Sequence, residues 1–335
     1  MTKIRKLYYF DKKNAAEMVS FLDKTDYVSR IMFNPLLPLH HLLPLKLKFL
    51  PESYVLKDKK EIKGLITIAP TGSPLKQMEI QKLLFEENCY EDAGELIQYV
   101  VSKYKALGTA SVIVRIDDYF PELVKLFISK CSFSQISYER LWKINEEKDD
   151  DNINNKMKNF RVFRNSDAPI ISNIYNEQLL PHFRTLLNKD AKEFKDVIFK
   201  GLSYFTEYKY VYRDKHSKNI TAYLSVKTSD NKNFVLDFTQ TGWEQPDTDL
   251  IIRFARNVIK KRNKNYNLFV VTKKYTQSGE QYENEFRERK YECVQNHIVL
   301  TNSSARIIKN AEGEKKFIGL NQFYGGVSIM NRNRL

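Results

Sequence analysis

The chain of 335 residues carries one order of elements twice, and this doubling constrains its fold more than its composition does. Near Leu7 a short apolar strand runs into a helix start at Asn14-Ala15-Ala16. Near Arg161 a second strand (Arg161-Val162-Phe163-Arg164) runs into Asp167-Ala168-Pro169. Each start is followed by further helix, then strands, then strand, helix, strand, helix, strand. Ala15 and Ala168 lie 153 positions apart, Leu96 and Leu250 154, and Phe133 and Tyr291 158. The letters differ between the halves, so the repeat is one of pattern.

Two copies of a unit agree with the roughly two domains that this length predicts. Each half is long enough to bury its own core. The expected division is a first domain at 1–145, a charged Asn-rich linker at 146–159, a second domain at 160–310 and a tail at 311–335. The pattern predicts strands at Lys6–Phe10, Tyr54–Lys57, Lys63–Pro70 and Met78–Phe85 in the first half. A helix over Glu91–Leu107 follows, with Leu96, Ile97, Val100, Val101, Tyr104 and Leu107 at helical spacing and Gly108 as its stop. Ser111–Ile116 reads as a strand, Pro121–Ser129 as a helix, and Phe133–Ile144 as the last strand of that half. The second half repeats the order, ending on helices at Thr248–Lys261 and Gln281–Arg289 and a strand at His297–Thr301.

Composition removes several functions. Cys89, Cys131 and Cys293 are odd in number and far apart, so neither a disulfide framework nor a cysteine zinc site is supported. A reducing cytoplasm is the expected compartment. The start of the chain lacks an apolar signal core. The most apolar stretch, Ile31–Leu50, is broken by Pro35, Pro38, Pro44, Lys46 and Lys48, which argues against a membrane span. His40-His41 has no Glu or Cys at ligand spacing, so no metal is expected. The net charge of +14 falls mostly on residues 151–335, which hold 32 basic and 20 acidic side chains. That half could attract a polyanion, but the basic residues are dispersed and no nucleic-acid motif accompanies them.

Strand, helices, three antiparallel strands, helix, strand, helix, strand is the order of the GNAT acyltransferase fold. The stretch Glu79–Phe133 resembles that family's core, and Cys131-Ser132-Phe133 and Lys290-Tyr291 loosely echo the turn that ends its last helix. The chain is therefore similar to tandem GNAT proteins. The resemblance implies an α/β (α+β) chain of two GNAT-like domains, each a mixed, mainly antiparallel sheet flanked by helices. It also implies acetyl-CoA or another acyl-CoA as cofactor and a small-molecule or peptide amine as acceptor.

The family holds the cofactor pyrophosphate on an Arg/Gln-x-x-Gly-x-Gly/Ala turn and on the N–H groups of the helix that follows. The matching positions are Asn88, Glu91 and Ala93 in the first half, where only Ala93 fits. In the second half they are Gly242, Gln245 and Asp247, where none fits. Carboxylates in a helix's first turn neutralise its dipole and repel a phosphate. The first half is thus the better site, with Leu84, Phe85, Asn88, Ala93 and Gly94 as cofactor-binding residues. Glu86 and Glu87 end the strand where the family often carries a base. The position of its usual acid Tyr matches Ile128 and Phe286, which cannot donate a proton. Tyr119 and Tyr282 are the nearby phenols, and Tyr119 completes the expected catalytic set. The alternatives are a non-catalytic GNAT-like scaffold that binds a protein or ligand, and nucleic-acid binding through the basic half.

Overall fold

Each half ends on a strand that completes the sheet of the other half. The computed structural model describes residues 3–8, 11, 14, 51–59, 61–71, 76–86, 89–145, 157–196, 206–243, 246–303, 306–309 and 315–318. The helix expected from Asn14, the segment Ile31–Leu50 and His40-His41 fall outside these residues except for Asn14 itself.

The chain divides into two units. The first contains Leu37–Ser137 and His297–Leu335 with the N-terminal segment, and the second contains Tyr138–Asn296 with a short N-terminal piece. In the first, the sheet runs β1 (Lys3–Lys6), β2 (Glu52–Asp58), β3 (Glu61–Pro70), β4 (Gln77–Phe85), β5 (Ser111–Asp117), and then β12 (Glu292–Ser303) through its residues from His297 onward. β5 pairs antiparallel with β12 from Ser111↔Ser303 to Asp117↔His297. Asn302 Nδ2 donates to the carbonyls of Cys131 and Ser132 at 2.9 and 3.0 Å, fixing that strand in place.

In the second unit the order is β6 (Ser134–Ile144, from Tyr138), β11 (Asn267–Lys273), β10 (Asn233–Gln240), β9 (Ile220–Thr228), β8 (Thr206–Arg213) and β7 (Phe160–Val162). β6 pairs antiparallel with β11 from Glu139↔Lys273 to Ile144↔Leu268. Trp142 Nε1 donates to Thr272 Oγ1 at 2.9 Å, Tyr275 Oη to Glu139 Oε1 at 2.7 Å, and Arg140 pairs with Glu283. The units thus differ from the divisions 1–145 and 160–310 by this exchange of β6 and β12. Beyond the exchanged strand, Arg306–Lys309 (β13) and Lys315–Ile318 (β14) form a separate hairpin.

In the first unit, helix α1 (Tyr90–Ala106) covers one sheet face, and α2 (Pro121–Ser129) packs beside it. Leu96, Ile97, Val100, Val101 and Tyr104 make a buried stripe at the predicted spacing, whereas Leu107, the C-cap, ends outside it and is exposed. They meet Tyr54, Leu56, Ile66, Ile68 and Val114 from alternate strand positions. Gly108, at φ +95°, closes α1: its N–H bonds the Lys105 carbonyl, and that of Thr109 bonds the Tyr104 carbonyl. The second unit carries α3 (Ala168–Gln178), the short α4 (Arg184–Leu187) and α5 (Ala191–Phe194), α6 (Thr248–Lys260) and α7 (Gly279–Glu288). α7 ends on the same device as α1, with Lys290 at φ 58° in the glycine position. Lys290 N–H bonds the Arg287 carbonyl and Tyr291 N–H the Phe286 carbonyl. α2 ends on Ser132 at φ 57°, and its Phe133 N–H reaches the Phe127 carbonyl.

One charged network is repeated atom for atom. Arg5 grips both oxygens of Asp11 at 2.6 and 2.8 Å, and Asp11 also accepts from Tyr8 N–H. Arg161 grips Asp167 at 2.8 and 2.7 Å, and Asp167 accepts from Arg164 N–H. Both pairs have the spacing Arg-x5-Asp. Burial alone would raise the Asp11 carboxyl, but Arg5, the Tyr8 N–H and Lys57 outweigh it and bring it down to about 2.

Candidate functional site

In open sheets flanked by helices, a crevice for a ligand forms at the strand ends where neighbouring parallel strands part. In the first unit β4 and β5 pair in parallel only from Gln77↔Ser111 to Ile80↔Val114. β4 then runs on to Phe85. The β3 partners of β4 skip from Ile68↔Ile80 to Thr67↔Lys82, so Gln81 is an extra residue on β4. A bulge of this kind bends its strand and raises its local twist, which carries the end of β4 away from its parallel neighbour.

The chain from β4 enters α1 through Cys89. No side chain caps the helix there, and its first turn carries Glu91 and Asp92. Lys130 Nζ approaches Glu91 at 3.3 Å across an exposed surface. This cation was absent from the sequence reading. It is the C-cap of α2, and only tertiary packing brings it to the start of α1.

The expected site residues divide into two groups. Phe85 packs on the α1-side core and meets Tyr90 edge-on at 5.3 Å, whereas Leu84 packs on the opposite face against Leu7, Val55, Ile62 and Leu65. Ala93 is buried in the helix interface. A Cβ at Gly94 would lie 3.4 Å from Leu126 Cδ1, and the Gly94 carbonyl accepts from Cys131 Sγ. Ala93 and Gly94 therefore dock α1 on the sheet and on α2. Glu86 is exposed and held by Lys63 Nζ at 3.0 Å to both oxygens. Tyr119 lies in the β5–α2 turn with its ring 81% exposed and edge-on to Phe120. Glu87 and Asn88 lie outside the described residues. Burial pushes the Cys131 thiol up to about 11, which keeps it protonated and inert.

The second unit has the corresponding fork and closes it. β10 and β11 pair in parallel from Asn233↔Asn267 to Leu236↔Val270, and β10 continues to Gln240. Beyond the last pair, Lys273 Nζ donates to both oxygens of Asp237 at 2.6 and 2.7 Å, joining the strands where they part. Burial opposes ionisation of Asp237, yet Lys273, Lys227 and Lys189 outweigh it and hold its carboxyl below the usual range. On the other face Phe238 and Tyr282 meet with ring centroids 5.1 Å apart. Between Tyr175, Gln178, Gln240, Thr272, Ser278 and Tyr282 remains a cavity of about 20 Å³, the space of one water molecule. Burial pushes the Tyr282 phenol up to about 12.

The start of α6 is committed as well. Asp249 in its first turn pairs with Arg289, which also donates to Glu285 at 2.8 Å, and Thr248 Oγ1 donates to Glu285 at 3.1 Å. Arg289 is the C-cap of α7, the counterpart of Lys130 at the end of α2. Sequence reasoning missed this pair too. The shared signal is a basic residue just before each left-handed turn, Lys130 before Cys131-Ser132 and Arg289 before Lys290.

Among the described residues, no group of three or more His, Cys, Asp or Glu is placed to hold a metal, and no helix is long and apolar enough to cross a membrane.

The fold as a whole recurs in solved structures. A tandem GNAT protein from the clavulanic acid biosynthesis pathway superimposes with a TM-score of 0.59, covering 90% of this chain and 98% of that one at 9% identity. The chain has the tandem GNAT fold. A GCN5-related N-acetyltransferase from Sphaerobacter thermophilus matches with a TM-score of 0.57 at 8% identity, over 90% of this chain and 95% of that one. A Drosophila protein matches with a TM-score of 0.53 at 8% identity, over 90% and 98%. No protein-family model and no curated protein matches the chain in sequence. The tandem GNAT fold thus occurs here with acidic helix starts: Glu91 and Asp92 stand in the first turn of α1, and Asp249 in that of α6.

Proposed function

We propose that the chain is an acyl-CoA-dependent N-acyltransferase that works in its first unit. The observation that carries this reading is the fork between β4 and β5, bulged at Gln81 and open of strand pairing beyond Ile80 and Val114. A bound acyl-CoA would supply the activated thioester carbonyl. Main-chain N–H groups of β4 beyond the bulge are of the type that polarises such a carbonyl. The uncapped N–H groups of α1 suit phosphate oxygens, and Lys130 offsets part of the charge of Glu91 and Asp92. Phe85 would border the cofactor on the α1 side of β4, with Leu84 on the face behind it, and Asn88, Ala93 and Gly94 complete the proposed cofactor-binding residues.

The acceptor in this reading is a small-molecule or peptide amine. Glu86, just past the end of β4, or Glu87 would take the proton that the attacking nitrogen releases. Glu86 does so only when it leaves Lys63, which holds it in the free protein. Tyr119, an exposed phenol, would return a proton to the leaving sulfur.

Titration calorimetry with acetyl-CoA and longer acyl-CoAs tests the reading. Binding is expected, and Lys130→Glu is expected to weaken it by about tenfold through added repulsion at the helix start. An absence of binding at millimolar ligand refutes it. A non-catalytic scaffold of the same fold is the second reading, and the acidic first turn of α1 favours it. Nucleic-acid binding draws less support, because Arg140, Arg161, Lys209, Lys273 and Arg289 in the basic half are engaged in ion pairs.

A further inference from the structure

We infer that the second unit is closed to acyl-CoA, its β10–β11 fork held shut by an Asp237–Lys273 latch. This inference concerns the second unit alone and stands or falls independently of the first-unit reading. Three observations carry it, and each touches a different part of what such a cofactor needs.

The first is the latch. Asp237 and Lys273 lie on strands that have stopped pairing, and a two-pronged ion pair takes the place of the missing ladder. Charge-assisted bonds of this geometry are among the stronger ones available to a protein. The Lys273 side chain is 13% exposed and that of Asp237 33%, so the pair is partly shielded from water. The second is the plug. Phe238 and Tyr282 fill the opposite face, and the residual cavity takes one water. Gln240 is 3% exposed, lines that cavity, and its Oε1 has no partner among the described residues. The space there suits a single water beside that oxygen and leaves no room for a pantetheine chain. β10 also keeps an unshifted register with β9 from Val235 to Gln240, in contrast to the bulge of β4.

The third is charge. The start of α6 holds Asp249, and the cation nearest to it, Arg289, is shared with Glu285. A diphosphate there would meet two carboxylates around a cation that is already neutralised. The residues of this unit do not fit the cofactor that the fold implies. What the closed unit does supply is α7 and the strand that follows it, whose residues His297–Ser303 complete the first unit's sheet on β5. Gly279 shows how tightly α7 is set: a Cβ there would lie 2.1 Å from the Lys273 carbonyl oxygen.

Hydrogen exchange of the full chain, with and without millimolar acetyl-CoA, tests the inference. Protection confined to Gln77–Ala106 supports both readings. Protection at Asn233–Lys260 overturns the closed second unit. No protection in either segment overturns the first-unit reading and upholds this one. The latch is tested by D237N combined with K273M, which keeps the size of both side chains and removes their charge. Exchange at Phe238–Gln240 is expected to quicken about tenfold while α6 is unchanged. Unchanged exchange at Phe238–Gln240 refutes the latch. If the double variant fails to fold, D237N alone serves for the same measurement.

Discussion

The repeated Arg-x5-Asp network makes a stability prediction with a defined pH signature. Asp11 accepts two bonds from Arg5, one from the Tyr8 N–H and one from Lys57, and its side chain is 3% exposed. Its carboxyl is lowered from 3.8 to about 2. A displacement of that size corresponds to at most about 2.5 kcal/mol. Arg5 and Lys57 are each about a quarter exposed, so screening reduces the expected value to about 1–2 kcal/mol. D11N should therefore lose about 1–2 kcal/mol at pH 7. Because the folded carboxyl is depressed, the stabilisation is present above the unfolded value. It is lost as pH falls through the folded value. The difference between wild type and D11N should hold down to pH 5, shrink by about half near pH 3, and vanish below about pH 2. Urea unfolding at pH 7, 5, 4 and 3 measures it. A difference that stays constant over that range would refute the charge argument and assign the loss to packing. D167N should follow the same trend, since Asp167 is lowered by the same kind of partners against the same opposing burial.

Lys290 holds a left-handed conformation that glycine adopts without strain, so K290G should raise stability by about 0.5–1 kcal/mol in denaturant melts. Glycine is the required residue at position 279, where a Cβ would meet the Lys273 backbone oxygen; G279A should cost about 3 kcal/mol and lower the thermal midpoint. The strand exchange predicts that 1–145 expressed alone lacks cooperative unfolding by circular dichroism, because β5 loses β12 and β6 loses β11. Co-expression with 146–335 should restore it. Failure of the two fragments to complement one another would count against the exchange.

Local physics explains which parts of this fold were legible in the letters. Helix α1 was readable because Leu96, Ile97, Val100, Val101 and Tyr104 must share one face, and because Gly108 can take a backbone angle that others avoid. The strands were readable by alternation, which fixes which face each residue presents and nothing more. Alternation cannot name a strand's neighbour. β6 presents Leu141 to one face and Trp142 to the other, a pattern that would suit pairing with β5 as well as with β11, so its assignment to the first domain was natural. The decision is made by long-range contacts such as Trp142 to Thr272 and Arg140 to Glu283, separated by more than a hundred residues.

The candidate site was harder to read for the same reason, sharpened by charge. Ala93 and Gly94 look like remnants of a phosphate turn in one dimension. In three dimensions both are packed residues of α1: Ala93 is buried in the core, and Gly94 lies beside Leu126 with its carbonyl bonded by Cys131. Conversely, Lys130, Arg289, Asp237 and Lys273 are ordinary surface letters in a lysine-rich chain. They acquire meaning only because a helix end, a fork of parallel strands and a second helix start are brought together by folding. The two units diverge at these positions: Gln81 bulges β4, while Asp237 and Lys273 tie β10 to β11. On the proposed reading, a duplicated fold needs only one working fork. A fork that is not kept open for a ligand is exposed, half-paired sheet, and an internal ion pair across it is the nearest substitute for the missing ladder.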